Sequence, residues 1–115
     1  MARKYDSPCP VARTLNVIGD RWAILILRDF FLAGPRRFQD FEQSLKGITP
    51  GVLSQRLKEL EGHGVIVGQL YAERPPRRMY DLTEKGRELG PVLRAMKLWG
   101  ERYASGTKTE TRSAR

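Results

Sequence analysis

The sequence predicts a mainly α-helical fold with one small β-hairpin, and three observations lead to that prediction. Several segments repeat apolar residues at helical spacing and begin with a proline or a capping side chain. Two short stretches, Val65 to Tyr71 and Met79 to Leu82, have the composition of paired strands. A long amphipathic segment then follows, so the hairpin lies between helices.

The first two helices are predicted on either side of Gly19-Asp20. The first begins near Pro10, because proline fits the first helical position. Asp20 can cap the second helix, which runs from Arg21 to about Leu32. This second helix is apolar nearly all round, which predicts a central element contacted on several sides.

A tight helix-turn-helix is predicted next. A short helix covers Phe38 to Leu45, and a turn at Gly47-Ile48 separates it from a helix over Pro50 to Glu61. Thr49 supplies a hydroxyl cap, and Pro50 occupies the first helical position of that second helix. Its apolar stripe consists of Leu53, Leu57 and Leu60.

The hairpin and the closing helix complete the pattern. Glu73 to Arg78 contains Pro75-Pro76, so we expect a long, stiff, basic tip rather than strand, because proline cannot lie inside a sheet. Thr83 caps a single final helix that runs to about Tyr103. This order of elements predicts a winged helix-turn-helix domain.

Length and composition bound the class of protein. The chain has 115 residues, enough for one domain, which we assign to residues 9–104 between an N-terminal arm (1–8) and a disordered basic tail (105–115). The net charge of +8 points to an anionic partner and leaves nucleic acid, a membrane surface and an acidic protein open. A single cysteine, no signal-like start and no membrane-length apolar run lead us to expect a cytoplasmic protein without membrane association.

The helix over Pro50 to Glu61 carries side chains suited to reading bases. With its leucines facing inward, the outward positions hold Gly51, Ser54, Gln55 and Lys58. Gln can pair with adenine, Lys with guanine and Ser with several bases, while Gly51 lets backbone approach a phosphate. Such residues also occur on ordinary surface helices. The tight turn before this helix and the basic hairpin after it are what favour DNA binding.

Six arginines are candidate phosphate contacts. Arginine suits phosphates and narrow minor grooves, although basic runs are often only solvated loops. Arg56 lies between the two faces of its helix and could instead brace Glu59 or Glu61. The other candidates are Arg74, Arg77 and Arg78 at the hairpin tip, and Arg36 and Arg37 before the short helix.

Catalysis finds little support in the sequence. The one histidine, His63, is flanked by glycines at a helix end, no residues have metal-ligand spacing, and no glycine-rich phosphate loop is present. We therefore expect neither a metal nor a cofactor. A small hydrolase or redox enzyme using Cys9 and His63 lacks any further motif.

Four segments, in the same order, resemble HxlR-type bacterial regulators, a MarR-like family. The resemblance covers about Cys9 to Gly100. The segments are Cys9 to Trp22, Gly34 to Phe38, Ile48 to Leu60 and Tyr80 to Gly86.

The resemblance implies a winged-helix homodimer whose N-terminal and C-terminal helices form the interface. It implies sequence-specific binding of duplex DNA at a pseudo-palindromic operator, and we expect a repressor rather than an activator. The stripe from Leu89 to Tyr103 agrees with a dimer, because it is more apolar than a lone closing helix needs. An alternative is a winged-helix adaptor whose basic face binds an acidic protein.

Cys9 is the candidate for redox sensing. Several members of the family are similar in using an N-terminal cysteine to sense oxidants, quinones or aldehydes. Cys9 lies at a predicted helix start near Arg3, Lys4 and Arg13, a setting that favours the thiolate. The alternative is a small buried packing residue, and the sequence identifies no inducer.

Overall fold

The computed structural model describes residues 8–104, so most of the predicted arm and the whole predicted tail lie outside the described residues. Within this range the elements follow the predicted order, with one additional strand and a divided last helix. They are α1 (Pro10–Ile18), α2 (Arg21–Ala33), β1 (Arg36–Arg37), α3 (Phe38–Ser44), α4 (Pro50–Gly62), β2 (Ile66–Glu73), β3 (Pro76–Leu82), α5 (Glu84–Arg87) and α6 (Gly90–Tyr103).

Three helices begin at the N-cap residues that the sequence predicted. The Asp20 carboxylate accepts hydrogen bonds from the backbone N–H groups of Trp22 (2.8 Å) and Ala23 (3.0 Å) at the start of α2. The hydroxyls of Thr49 and Thr83 cap α4 and α5 in the same way. Local side-chain chemistry therefore fixes where these helices begin.

The three strands form one antiparallel sheet in the order β1-β3-β2. Strand β1 was not predicted, because two consecutive arginines carry no strand signal and only pairing with Met79 and Tyr80 of β3 defines them as strand. The sheet continues beyond the body of the domain as the two-stranded ribbon of β2 and β3, here called the wing.

The expectation of a long irregular tip at Glu73 to Arg78 is wrong. Strand β2 reaches Glu73, β3 begins at Pro76, and only Arg74 and Pro75 form the turn. Proline is tolerated at the first residue of a strand, so Pro76 does not interrupt the pairing. The two strands of the wing are therefore paired almost to its end, with one register shift between Leu70 and Ala72.

The expectation of one continuous closing helix is also wrong. Helix α5 ends after Arg87, and α6 starts anew at Gly90, with Leu89 as its N-cap. Pro91 explains the break, because inside a continuous helix its ring would clash with the carbonyl of Arg87 and one hydrogen bond would be lost.

The core lies between α2, α3, α4 and the sheet. The predicted stripe of Leu53, Leu57 and Leu60 is fully buried there, and Phe30 packs edge-to-face on Phe41 with ring centroids 5.2 Å apart. Helix α2 lies against α1, α4 and β3, which confirms the expectation of a central element contacted on several sides. No helix within residues 8–104 has both the length and the apolar character needed to cross a membrane.

Candidate nucleic-acid interface

Helix α4 presents a polar face opposite its buried leucines. Gly51, Gln55 and Lys58 are exposed on that face, and Ser54 is half-buried at its flank. The Gln55 amide lies 3.4 Å from a carboxylate oxygen of Glu59, one turn further along. These are flexible hydrogen-bonding groups on a rigid, well-packed helix, the arrangement that reading base edges requires.

The N-terminus of α4 is open to an approaching anion. Thr49 and Pro50 are exposed, and the Thr49 hydroxyl accepts a hydrogen bond from the Val52 N–H (3.2 Å). A Cβ built on Gly51 would meet nothing within 4 Å, so the backbone there is accessible. Free N–H groups and the helix dipole favour negative charge at such a position.

Arg56 is held by residues of its own chain. Its Nε donates to Asp20 over 2.8 Å, and its guanidinium lies 3.8 Å from Glu59. Of the two braces predicted, Glu59 is therefore near, whereas Glu61 pairs with Arg78 and the main partner is Asp20.

The Asp20–Arg56 pair shifts both ionisations. Burial alone would raise the pKa of Asp20, but the hydrogen bond from Arg56 and those from the α2 backbone outweigh it and lower the pKa. The same hydrogen bond raises the pKa of Arg56. The pair is therefore fully charged at neutral pH.

Arg36 and Arg37 turn toward α3 and its first turn. Arg36 donates to the carbonyl of Asp40 (2.9 Å) and lies over the Phe41 ring, 5.4 Å from its centroid. The Arg37 guanidinium pairs with the Asp40 carboxylate (3.1 Å), and this hydrogen bond is the largest cause of the lowered pKa of Asp40. Both predicted clamp residues thus already have partners within the chain.

Arg78 fastens the wing to the end of α4. Its guanidinium donates to Glu61 (3.2 Å) and to the carbonyl of Gly68 (2.8 Å), while the Gly68 N–H donates to Glu61 (2.9 Å). A Cβ on Gly68 would lie 2.8 Å from the Tyr80 ring, so glycine is required for this close approach. Arg78 therefore lies in a structural cluster and not in a solvated tip.

Three of the basic residues predicted to contact DNA are exposed and form no ion pair with another described residue. Lys58 lies on the outward face of α4, and Arg74 and Arg77 lie at the end of the wing. Lys46, in the turn before α4, is also exposed and forms no ion pair with another described residue. Lys46 was not predicted from the sequence as a DNA contact, although its position inside the predicted helix-turn-helix could have indicated it. The structure thus separates the predicted basic residues into paired and available groups.

Cys9 is exposed at the N-cap of α1, directly before Pro10. Exposure argues against the buried packing role considered from the sequence. Arg13 lies one turn further on and donates to the carbonyl of Pro8 (2.9 Å), whereas the other two predicted basic neighbours lie outside the described residues.

Exposed apolar side chains also lie on α1, the end of α2 and α6, and we call this set of side chains the apolar face. Neither α1 nor α6 contains a buried residue within the chain. The exposed apolar side chains of this face are Val11, Leu15, Phe31, Leu32, Val92, Met96, Trp99 and Tyr103.

Comparison with known proteins gives a consistent result. Residues 17–108 match the family model described as HxlR-like helix-turn-helix. The chain is 43% identical over 95 residues to the uncharacterised HTH-type transcriptional regulator YdeP of Bacillus subtilis, covering 83% of this chain and 73% of YdeP.

Two solved structures are similar along most of the chain. The putative transcription factor PA1607 has a TM-score of 0.78 and 44% identity, over 94% of this chain and 73% of its own. The redox regulator HypR in its reduced form has a TM-score of 0.79 and 35% identity, over 89% of this chain and 100% of its own. HypR has also been solved in an oxidised form.

Proposed function

The chain belongs to the HxlR-like helix-turn-helix family of transcriptional regulators, and from that premise we propose that it represses transcription as a homodimer bound to a pseudo-palindromic operator. The observation that carries the proposal is the face of α4 with Gln55 and Lys58 exposed, next to a wing whose last arginines are available. A regulator of this kind works on chromosomal DNA, so we propose the cytoplasm as its location.

The proposed contacts divide by what they read. Ser54, Gln55 and Lys58 would contact base edges in the major groove. The start of α4 at Thr49, Pro50 and Gly51 would contact phosphate through its backbone. At the wing, Arg74 and Arg77 would reach the neighbouring backbone or minor groove, where arginine is favoured.

We propose that a second copy of the chain covers the apolar face. Its apolar side chains come from three helices, and large exposed apolar areas often mark protein–protein interfaces. A palindromic site requires a twofold axis that places the two copies of α4 on one side of the dimer, and we propose that the axis runs through this face. Residues 9–104 would then serve both DNA binding and dimerisation.

We further propose that Cys9 makes the regulator responsive to oxidants or electrophiles. The exposed thiol and the similarity to HypR, a redox regulator, support this role. Because the chain has one cysteine, oxidation would lead to a Cys9–Cys9 bond between subunits, a mixed disulfide or a sulfur acid. Peroxide or a quinone should weaken operator binding, and Cys9→Ser should abolish that effect; an unchanged response in Cys9→Ser would exclude the role.

The deciding experiment measures binding to DNA from upstream of the gene and to random DNA of equal length, over a salt series. Tight upstream binding, weak random binding and a steep salt dependence are expected. Equal, weak binding to both would mean that the protein senses charge only. No binding at low salt would instead favour the adaptor function, with an acidic protein as partner.

A further inference from the structure

The Asp20–Arg56 pair links two parts of the fold that are distant in sequence. Asp20 lies in the short connection between α1 and α2, and Arg56 lies in the middle of α4, 36 residues away. One carboxylate oxygen of Asp20 receives three donors, namely the Arg56 Nε (2.8 Å) and the N–H groups of Trp22 (2.8 Å) and Ala23 (3.0 Å). Asp20 is thus fixed by the α2 backbone before it binds Arg56.

The surroundings of Arg56 favour a stable pair. The Arg56 side chain is 22% exposed and that of Asp20 is 39% exposed, whereas Arg78 is 42% exposed in its pair with Glu61. Arg56 projects from the flank of α4, between the leucine stripe and the outward face. Hydrogen bonds between charged groups are short, directional and stronger than neutral ones, and reduced contact with water limits screening.

The buried leucines hold α4 in the core, and Glu61 joins its end to the wing. Hydrophobic contacts are non-directional, so a hydrogen-bonded ion pair at the middle of the helix adds an angular constraint that those contacts lack. Side-chain ends lie about 5–6 Å from the axis of a helix, so a 10° rotation moves them by about 1 Å. A shift of that size breaks a bidentate contact to a base, because hydrogen bonds tolerate only a few tenths of an ångström.

We propose that the Asp20–Arg56 ion pair sets the rotation of α4, so that Arg56 is a positioning residue for base reading and not a contact to DNA. The inference rests on the proposed operator binding. Gln55 and Lys58 lie one and two positions from Arg56, so the pair would act on their placement directly. Asp20, the other member of the pair, lies in the connection between α1 and α2. The pair therefore links α4 to the end of α1, the helix that Cys9 precedes.

The test uses two substitutions with opposite effects on charge. Asp20→Asn keeps a good helix cap but weakens the pair and adds positive charge, whereas Arg56→Gln removes positive charge. Binding is measured to a duplex that the wild-type protein selects from a randomised library, and to random duplex. Controls are Glu101→Gln and Lys97→Gln, which make the same charge changes in the exposed pair on α6.

Positioning predicts that both substitutions weaken binding to the selected duplex, by roughly the tenfold that one bidentate base contact provides. The double variant should lose no more than either single variant, because both break one interaction. The slope of affinity against salt should stay unchanged. If Asp20→Asn instead tightens binding and Arg56→Gln lowers the salt slope by about one, Arg56 is a phosphate contact and the proposal is overturned.

A measurement on the free protein separates this inference from the proposed function. Backbone amide resonances of Ser54, Gln55 and Lys58 should shift in Asp20→Asn, whose substitution lies 36 residues from Arg56, and should not shift in the two control variants. Unchanged resonances in that segment would overturn the inference whatever the DNA result. Failure of the wild-type protein to enrich any sequence would overturn operator binding alone.

Discussion

Helices α4 and α6 carry apolar stripes of similar length, yet the chain buries only one of them. In α4 the three leucines are at most 1% exposed, whereas Trp99 and Tyr103 of α6 are 62% and 64% exposed. Leu89 and Leu93 at the start of the α6 stripe do pack against the core. A helical stripe therefore predicts that a face will be covered, but it does not reveal whether the same chain or another molecule covers it.

The largest expected effect tests the buried side of this comparison. Leu57→Ala should lower the free energy of unfolding by about 2–5 kcal/mol, because it removes a fully buried side chain and leaves a cavity. Urea unfolding monitored by circular dichroism measures the loss. A loss below about 1 kcal/mol would mean that α4 is less firmly packed than its burial indicates.

The next effect tests the exposed side. Trp99→Glu should weaken the free energy of dimer association by about 2 kcal/mol or more. Large aromatic residues dominate interfaces, and a charge buried in an interface is costly. Analytical ultracentrifugation over a concentration series measures the change. Leu98→Gln is the matched control, because Leu98 is 50% exposed on the same helix but lies off the stripe. Equal sedimentation of Trp99→Glu and wild type would exclude α6 from any dimer interface.

The polar face of α4 gives a third, smaller effect. Gln55→Ala should cost on the order of 1–3 kcal/mol at the operator and little on random DNA, because a base contact is lost while the fold is kept. Fluorescence anisotropy with both duplexes provides the comparison. An equal loss on both duplexes would contradict base reading by Gln55.

The wing should show the opposite signature. Arg77→Ala should weaken binding to all sequences alike and reduce the salt slope by about one, because a phosphate contact carries no sequence information. The same salt titration measures it. A loss confined to the operator would instead assign Arg77 to base reading in the minor groove.

The smallest effect concerns acid stability. The lowered pKa values of Asp20 and Asp40 mean that their folded forms bind protons less readily than the unfolded chain. Their contribution is therefore present above the unfolded pKa, about 3.9, and is lost as pH falls through the lower folded values. Unfolding free energies measured from pH 7 to pH 2 should fall below about pH 4, and less steeply in Asp40→Asn. Equal pH dependence of wild type and Asp40→Asn would contradict this assignment.

The sequence predicted the elements with strong local signals. Asp20, Thr49 and Thr83 begin their helices as expected, because a cap needs only neighbours two or three positions away. The break in the closing helix was missed although Pro91 is a local signal for it, whereas the other two misses have non-local causes. Strand β1 exists only through its pairing with β3, and the extent of the wing depends on pairing that runs past Arg77 and Arg78.

The amino-acid sequence by itself determined the winged helix-turn-helix order, the inward leucines of α4 and the family. Only the tertiary structure distinguished among the arginines. Arg36, Arg37, Arg56 and Arg78 have partners within the chain, while Arg74 and Arg77 remain available at the end of the wing. The physical reason is that periodicity and capping act over a few residues, whereas an ion pair depends on which distant segment folds to within about 4 Å.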